Sequence, residues 1–270
     1  MRGSRLQMPD DGEPSIGGCP SRLDSQSSLL RTRIRHIYPS RPTNKHIRFH
    51  CTAFDERTYY CKDDADGRPI RATEWISQSL ALHLGIAVAE FQIIEHEGET
   101  FFGSREAIST ADIFKVRDYL SREQQNELGE TDWFGRWLSR LYALDMFLNN
   151  PDRGMNNFVL ENGSSLRAID FADSRLEDIT SERFPVATSN TVCNVKFIEN
   201  VHGFSLDSAR EMIERIRVIP VSVIDGIIGG MPNDWMVDDQ KQQIHEAWAS
   251  GRISHRLSAL RAGLEDGSRR

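Results

Sequence analysis

Three polar residues between positions 152 and 170 have side chains and a spacing suited to one kind of chemistry. Asp152 is followed five residues later by Asn157, and Asp170 comes thirteen residues after Asn157. A carboxylate can orient an attacking hydroxyl group, and hard oxygen ligands can hold Mg²⁺ against phosphate groups. The set is therefore typical of phosphoryl transfer. The alternative is a loop in which these side chains only cap helices and form turns.

Two apolar runs separated by a turn signal lie between Asn157 and Asp170. The runs cover 158–160 and 166–169, and an Asn-Gly pair occupies 162–163. Asn-Gly between two such runs is a strong short-range signal for a β-hairpin. We expect this hairpin to fold Asp170 back beside Asn157, so that the three polar side chains converge.

A β-type run and a helix further upstream carry a candidate pair of opposite charges. Lys62 closes the run, and Glu74 lies in the first turn of a helix predicted over 72–84, with Thr73 as N-cap and Gly85 as its end. Protein kinases pair a strand lysine with a helix glutamate to hold phosphate groups. The alternatives are a surface lysine at a strand end and a glutamate that only favours the helix dipole.

The segment around Asp152 resembles the HipA-like kinases and their phosphatidylinositol 3/4-kinase-like relatives, which share an atypical protein kinase fold. Those proteins carry D-R-H-x-x-N, followed by I-D-F or F-Y-D. This chain has D-R-G-M-N-N starting at Asp152, and I-D-F around Asp170. It departs from the family at Gly154, where a His is usual, and at Ala172, where many relatives have Gly.

A second segment extends this resemblance toward the N-terminus. The family motifs N-E-W, L-G-I-x-V-P and F-G-S have counterparts in T-E-W at 73–75, L-G-I-A-V-A at 84–89 and F-G-S at 102–104. Together the two segments cover roughly residues 38–175, after which the resemblance thins out. By the same resemblance, S-R-P-T-N at 40–44 corresponds to a loop that covers the phosphates, although it lacks glycine.

The resemblance implies an α+β, two-lobed protein-kinase-like fold with a β-rich N-lobe and a mainly helical C-lobe. It implies an ATP- and Mg²⁺-dependent Ser/Thr protein kinase whose partners are ATP and an unknown protein phosphoacceptor. In that scheme Lys62 and Glu74 bind ATP, and Asp152 is the catalytic residue. Asn157 and Asp170 then hold the magnesium ion.

Two other functions stay open at this point. A nucleotide-binding pseudokinase or regulatory binding module is suggested by Gly154, by Ala172 and by the glycine-free segment 40–44. A metal-dependent hydrolase could use the two carboxylates alone, and such an enzyme would not need Lys62 or a helix glutamate.

Composition and periodicity divide the chain into three expected parts. Residues 1–30 are rich in Gly, Pro and Ser and are predicted to be disordered. Residues 31–130 are assigned to the nucleotide-binding lobe, and residues 131–270 to the helical catalytic lobe. Amphipathic patterns predict helices from 131 and over 205–217, 238–249 and 253–264.

Net charge and hydropathy narrow the expected partners and location. The net charge is −7, and no apolar run approaches the 18 residues that a membrane-spanning helix needs. The first thirty residues contain no apolar stretch typical of a signal peptide. We therefore expect a cytoplasmic protein that binds neither membrane nor nucleic acid. The arginines at 31–48 could form a basic arm, but a solvated strand edge is the preferred interpretation.

The four cysteines do not form a metal-binding pattern. No C-x-x-C pair is present, so a structural zinc site is not expected. Cys51 and Cys61 are predicted to face each other across a hairpin centred near Glu56. In a reducing compartment we expect them to be free thiols.

Overall fold

A β-rich N-terminal part is followed by a mainly helical C-terminal part. The computed structural model describes residues 31–39, 46–106, 113–121, 133–161 and 165–270. The predicted disordered segment 1–30 and the predicted phosphate-covering loop 40–44 lie outside these residues.

The chain forms seven strands and eight α-helices within the described residues. The strands are β1 (Thr32–Tyr38), β2 (Ile47–Ala53), β3 (Thr58–Lys62), β4 (Phe91–His96), β5 (Glu99–Arg105), β6 (Phe158–Glu161) and β7 (Ser165–Ala168). The helices are α1 (Ile70–His83), α2 (Ile113–Ser121), α3 (Trp133–Phe147), α4 (Asn190–Val201), α5 (Leu206–Arg217), α6 (Val221–Gly229), α7 (Asp238–Ala249) and α8 (Ile253–Glu265). None of the helices in the described segments has the length and apolar character needed to cross a bilayer.

The first five strands form a closed barrel in the order β1-β2-β3-β5-β4. Antiparallel pairs join neighbouring strands, and β1 closes the barrel by pairing in parallel with β4, Thr32 opposite Ile94. The inside holds a small apolar core made of Phe49, Cys51, Ala53, Tyr59, Cys61, Ile94 and Phe101. A closed barrel is not typical of a kinase N-lobe, which corrects this part of the expected fold. The arginines of β1 are exposed to solvent, as expected, but β1 is not a free edge, because it pairs with β2 and, at Thr32 and Arg33, with β4.

Cys51 and Cys61 lie inside the barrel on neighbouring strands, as the sequence predicted. Both are fully buried, and their sulfur atoms are 3.5 Å apart. They are free thiols.

Helix α1 occupies the centre of the molecule and is buried on nearly all sides. It begins after Pro69, so Thr73 is not the N-cap that the sequence suggested; Thr73 is a buried residue of the first turn. Proline is tolerated as this N-cap because the first N–H groups of a helix have no partner within the helix, so its missing N–H costs nothing there. The helix ends before Gly85, whose φ of +82° is a conformation that favours glycine.

The C-terminal helices pack on one large apolar core that also includes α1 and the β6-β7 hairpin. The predicted helices at 205–217, 238–249 and 253–264 correspond to α5, α7 and α8. Ser205 caps α5 by accepting a hydrogen bond from Ser208 N at 3.2 Å. Helices α4 and α6 were not predicted, because their short β-branched and glycine-containing stretches do not show a clear helical period.

Residues 227–235 contact strand β5 and helix α1. Trp235 Nε1 donates to Thr100 Oγ1 on β5 at 2.8 Å, and Trp75 Nε1 on α1 donates to Ile227 O at 2.8 Å. Arg71, near the start of α1, forms a salt bridge with Asp234 at 3.2 Å. Helix α1 is thus held between the barrel and the C-terminal helices, which fixes the residues that it carries.

Candidate active site

Lys62 ends β3 and lies between two carboxylates. Its side chain is buried, and its Nζ contacts Oε1 of Glu74 and, at 2.7 Å, Oδ1 of Asp170. A strand, a helix and the segment after the hairpin therefore meet at one ammonium group. Glu74 and Asp170 lie 12 and 108 residues after Lys62 in the sequence.

The electrostatic balance at Lys62 favours the charged ammonium. Burial alone would lower its pKa, but the carboxylates of Glu74 and Asp170 outweigh that effect and raise the pKa to about 12. At neutral pH this site holds a fixed cation next to a partly exposed carboxylate. Such a cation can bind phosphate oxygens.

The raised pKa of Lys62 predicts a loss of stability at high pH. A lysine whose pKa is higher in the folded chain stabilises the fold fully below its unfolded pKa, near 10.5, and loses that stabilisation as the pH rises toward 12. The loss amounts to about 2 kcal/mol, since one pKa unit equals about 1.4 kcal/mol. Urea unfolding at pH 10 and pH 12 should show this extra loss in wild type and not in Lys62→Met. Equal losses in the two proteins would contradict it.

Glu74 links α1 to the segment that carries Asp170. It is fully buried, its two carboxylate oxygens accept from Phe171 N at 3.2 Å each, and Oε2 accepts from Gln78 Nε2 at 2.8 Å. A carboxylate with several donors is stable in a buried site. Gln78, one turn further along α1, was not predicted and holds Glu74 in place.

Asp170 adopts a backbone conformation that is uncommon for residues other than glycine. Its φ is +60°, in the left-handed region, where Asp is tolerated better than most residues. The residues after it are held by Arg68, which donates to Ala172 O at 2.6 Å and pairs with Asp173 at 2.7 Å. Such conformations often occur at functional sites.

The backbone brings Asp152, Asn157 and the residue before Asp170 together, and the convergence of the three side chains stays a prediction. Asn157 Nδ2 donates to the carbonyl oxygen of Asp152, and Asn157 O accepts from Ile169 N at 3.0 Å. The hairpin forms as expected, with Phe158 opposite Ala168, and its turn lies outside the described residues. Asp170 follows Ile169 directly, so the hairpin returns it to the Asn157 loop.

Arg153 is the buried residue that joins these segments, and no role was predicted for it. Its guanidinium pairs with Asp145 of α3 at 2.9 Å and donates to the carbonyl oxygens of Asn157 and Ile169. It also stacks over the ring of Phe171, 4.3 Å from the centroid. An aspartate eight residues earlier on a buried helix was the only sequence signal for this contact.

Asp152 also contacts a residue from a distant part of the chain. Asn190, the first residue of α4, donates through Nδ2 to Asp152 Oδ1 at 2.5 Å. The sequence did not indicate this partner, because 38 residues separate the two and the region was seen only as an apolar run.

The residues present fit a magnesium ion shared with a phosphate ligand. No group of three His, Cys, Asp or Glu side chains in the described segments forms a complete metal site. Mg²⁺ bound to nucleotides commonly takes one or two protein ligands and completes its shell with phosphates and water. Asp170 offers a carboxylate and Asn157 an amide oxygen, since its Nδ2 is already engaged.

A cavity of about 460 Å³ lies behind this site, between the start of α1, the segment after Asp170 and α7. Arg68, Thr73, Ser174 and Ile244 are among its lining residues. None of the five predicted site residues lines it. The candidate active site is therefore the polar cluster around Lys62 and not this cavity.

Comparison with known proteins identifies the family. Residues 40–263 match the sequence profile of the HipA-like kinases. The chain belongs to the HipA-like kinase family. The match extends well beyond residue 175, so the sequence analysis placed the end of the resemblance too early. The comparisons give no support to the wider likeness to phosphatidylinositol 3/4-kinases. No curated protein matched the chain.

One solved kinase structure shares the fold of this chain, and a second solved structure is less similar. A proinflammatory kinase of Helicobacter pylori, CtkA, has a TM-score of 0.56 with 12% identity, over 86% of this chain and 96% of that one. HipA of Shewanella oneidensis MR-1, solved with HipB and operator DNA, has 14% identity over 78% of this chain and 58% of that one. Its TM-score is 0.39, too low to show a shared fold. At these identities the likeness concerns the fold alone.

Proposed function

We propose that this HipA-like protein is an ATP- and Mg²⁺-dependent phosphotransferase that moves the γ-phosphoryl group of ATP to a Ser or Thr hydroxyl of a protein. The observation that carries the proposal is the buried Lys62 ammonium, paired with Glu74 and Asp170. A hydrolase that used only two carboxylates would not need this lysine. Its contacts therefore favour the kinase over the hydrolase.

The residues of the site have separate roles in substrate binding and catalysis. Lys62 binds phosphate oxygens, and Glu74 keeps the ammonium in position. Asn157 and Asp170 provide the oxygen ligands for the metal. When bound, ATP supplies the phosphoryl group and Mg²⁺ neutralises the phosphate charge. Fixed geometry and charge then provide most of the rate enhancement.

Asp152 acts on the acceptor. It orients the hydroxyl and takes its proton as the acceptor oxygen bonds to the γ-phosphorus, while the bond from that phosphorus to the bridging oxygen breaks and ADP leaves. The acceptor and a cytoplasmic location are part of this proposal. They are supported by the family and by the net charge of −7, which gives no sign of a membrane or nucleic acid partner.

A nucleotide-binding pseudokinase is the second candidate. Gly154 stands where the family motif usually has a histidine, and Ala172 where many relatives have a glycine. Mg·ATP binding without any turnover would identify this alternative.

Thermal unfolding with and without Mg·ATP tests the proposal. At one hundred times the dissociation constant, a ligand stabilises the folded chain by about 2.7 kcal/mol, which raises the melting temperature by several degrees. The rise should need both Mg²⁺ and ATP, and Asp170→Ala should abolish it together with turnover. Asp207→Ala, at a position 93% exposed on α5, is the control and should behave as wild type. No rise in wild type would overturn the nucleotide site, and an unchanged rise in Asp170→Ala would overturn the metal ligand.

A further inference from the structure

The carboxylate of Asp152 has a partner that none of the assigned roles explains. Asn190 Nδ2 holds its Oδ1 at 2.5 Å. In the described segments no hydrogen bond to Oδ2 is found. One oxygen of the carboxylate is thus fixed, and the other is left for an acceptor hydroxyl.

The start of α4 is attached to the catalytic loop, so the position of Asn190 is well defined. Thr191 Oγ1 donates to Asn150 O at 2.5 Å and accepts from Arg153 N at 3.0 Å. Thr191 N also donates to Pro151 O at 3.2 Å. Three hydrogen bonds therefore hold the residue next to Asn190 against the loop that carries Asp152.

Gly154 lies beside the side chains of Asn156 and Asn190. Its φ of −93° and ψ of 177° are open to any residue, so the backbone does not require glycine here. A Cβ built on Gly154 would lie 2.8 Å from Asn156 Oδ1 and 4.0 Å from Asn190 Nδ2. Any longer side chain would have to share this space with the two amide groups.

We propose that Asn190 is a positioning residue for Asp152, a role that rests on the proposed function of Asp152 as the group that orients the acceptor hydroxyl. An isolated aspartate rotates about its terminal bond. A charge-assisted hydrogen bond to one oxygen stops this rotation and directs the other oxygen to the acceptor.

The first test uses the protein without nucleotide. Melting temperatures are measured for Asn190→Ala, Asp152→Ala and the double variant. Because the two side chains are in contact, the change in melting temperature of the double variant should differ clearly from the sum of the changes in the two single variants. Asn200 is exposed at the other end of α4. The changes in melting temperature caused by Asn200→Ala and Asp152→Ala should therefore add within error. Additive shifts for Asn190 and Asp152 would overturn the proposed contact.

The second test separates positioning from folding. Asn190→Ala should lower the kcat of Mg·ATP turnover, followed as ADP release, by about tenfold to a hundredfold, the usual effect of one hydrogen bond to a charged group. The KM for Mg·ATP should stay unchanged. Asn190→Asp keeps the shape but replaces the donor by a carboxylate that repels Asp152, so it should lose turnover too. Asn200→Ala should keep the wild-type kcat.

The outcomes distinguish this inference from the function on which it rests. If wild type binds and turns over Mg·ATP while Asn190→Ala and Asn190→Asp keep its kcat, the positioning role is wrong and the proposed function stands. If wild type neither binds nor turns over Mg·ATP, the proposed function fails, and the role of Asn190 toward an acceptor fails with it. Binding without turnover in wild type also overturns the role.

Discussion

Replacing Lys62 by Met should lower Mg·ATP turnover by at least about 100-fold, a loss typical of removing one charge-stabilising group from an active site. The change removes the only cation that contacts both Glu74 and Asp170 in the described segments. Mg·ATP should also raise the melting temperature of this variant less than that of wild type. The fold should be destabilised by about 3–5 kcal/mol, because Glu74 is left buried without its cation.

Lys196→Met is the matched control, since Lys196 is exposed on α4 and the chemical change is identical. It should keep wild-type turnover and stability within about 0.5 kcal/mol. If Lys62→Met does not fold well enough to assay, Lys62→Arg keeps the charge but alters its shape, and it should still lose turnover because the two side chains bind phosphate differently. Wild-type turnover in both Lys62 variants would favour the two-carboxylate hydrolase over the kinase.

The parts of this site that the sequence predicted are those with a local signal. The hairpin between Asn157 and Asp170 follows from two apolar runs and an Asn-Gly turn, and these determine which residues lie side by side. The end of a β-type run and the first turn of a helix pointed to Lys62 and Glu74, although the cap was misplaced by four residues, at Thr73 instead of Pro69. These features depend on neighbours within about fifteen residues.

The parts that the sequence missed depend on distant contacts. The barrel closes because β1 pairs in parallel with β4, and pairing between strands so far apart leaves no short-range pattern. The partner of Asp152, Asn190, is 38 residues away at the start of a helix that lacks a clear period. Arg153 stands next to Asp152 in the sequence, but its structural role depends on contacts with Asp145 and two carbonyl oxygens. These groups come together only in the folded chain.

Arg153→Met should destabilise the protein by about 3–5 kcal/mol, the usual cost of breaking a buried ion pair from one side. Asp145 is fully buried and would be left with only the amide of Asn150 as a side-chain partner in the described residues. The carbonyl oxygens of Asn157 and Ile169 would lose their shared donor. Urea unfolding measures the free energy, and the Mg·ATP-dependent rise in melting temperature should shrink, because this arginine holds the Asn157 loop against the strand before Asp170.

The double variant Asp145→Leu/Arg153→Met separates the ion pair from the rest of this arginine's contacts. Removing both charges avoids an unpaired buried carboxylate, so the double variant should recover part of the stability that Arg153→Met loses. Recovery should stay incomplete, because the carbonyl oxygen of Ile169 loses its donor and that of Asn157 keeps only the bond from Ile169 N. Arg210→Met, which breaks exposed pairs with Asp207 and Glu265, should cost at most about 1 kcal/mol. If Arg153→Met also lowered the free energy of unfolding by at most about 1 kcal/mol, the guanidinium would not be holding the catalytic loop.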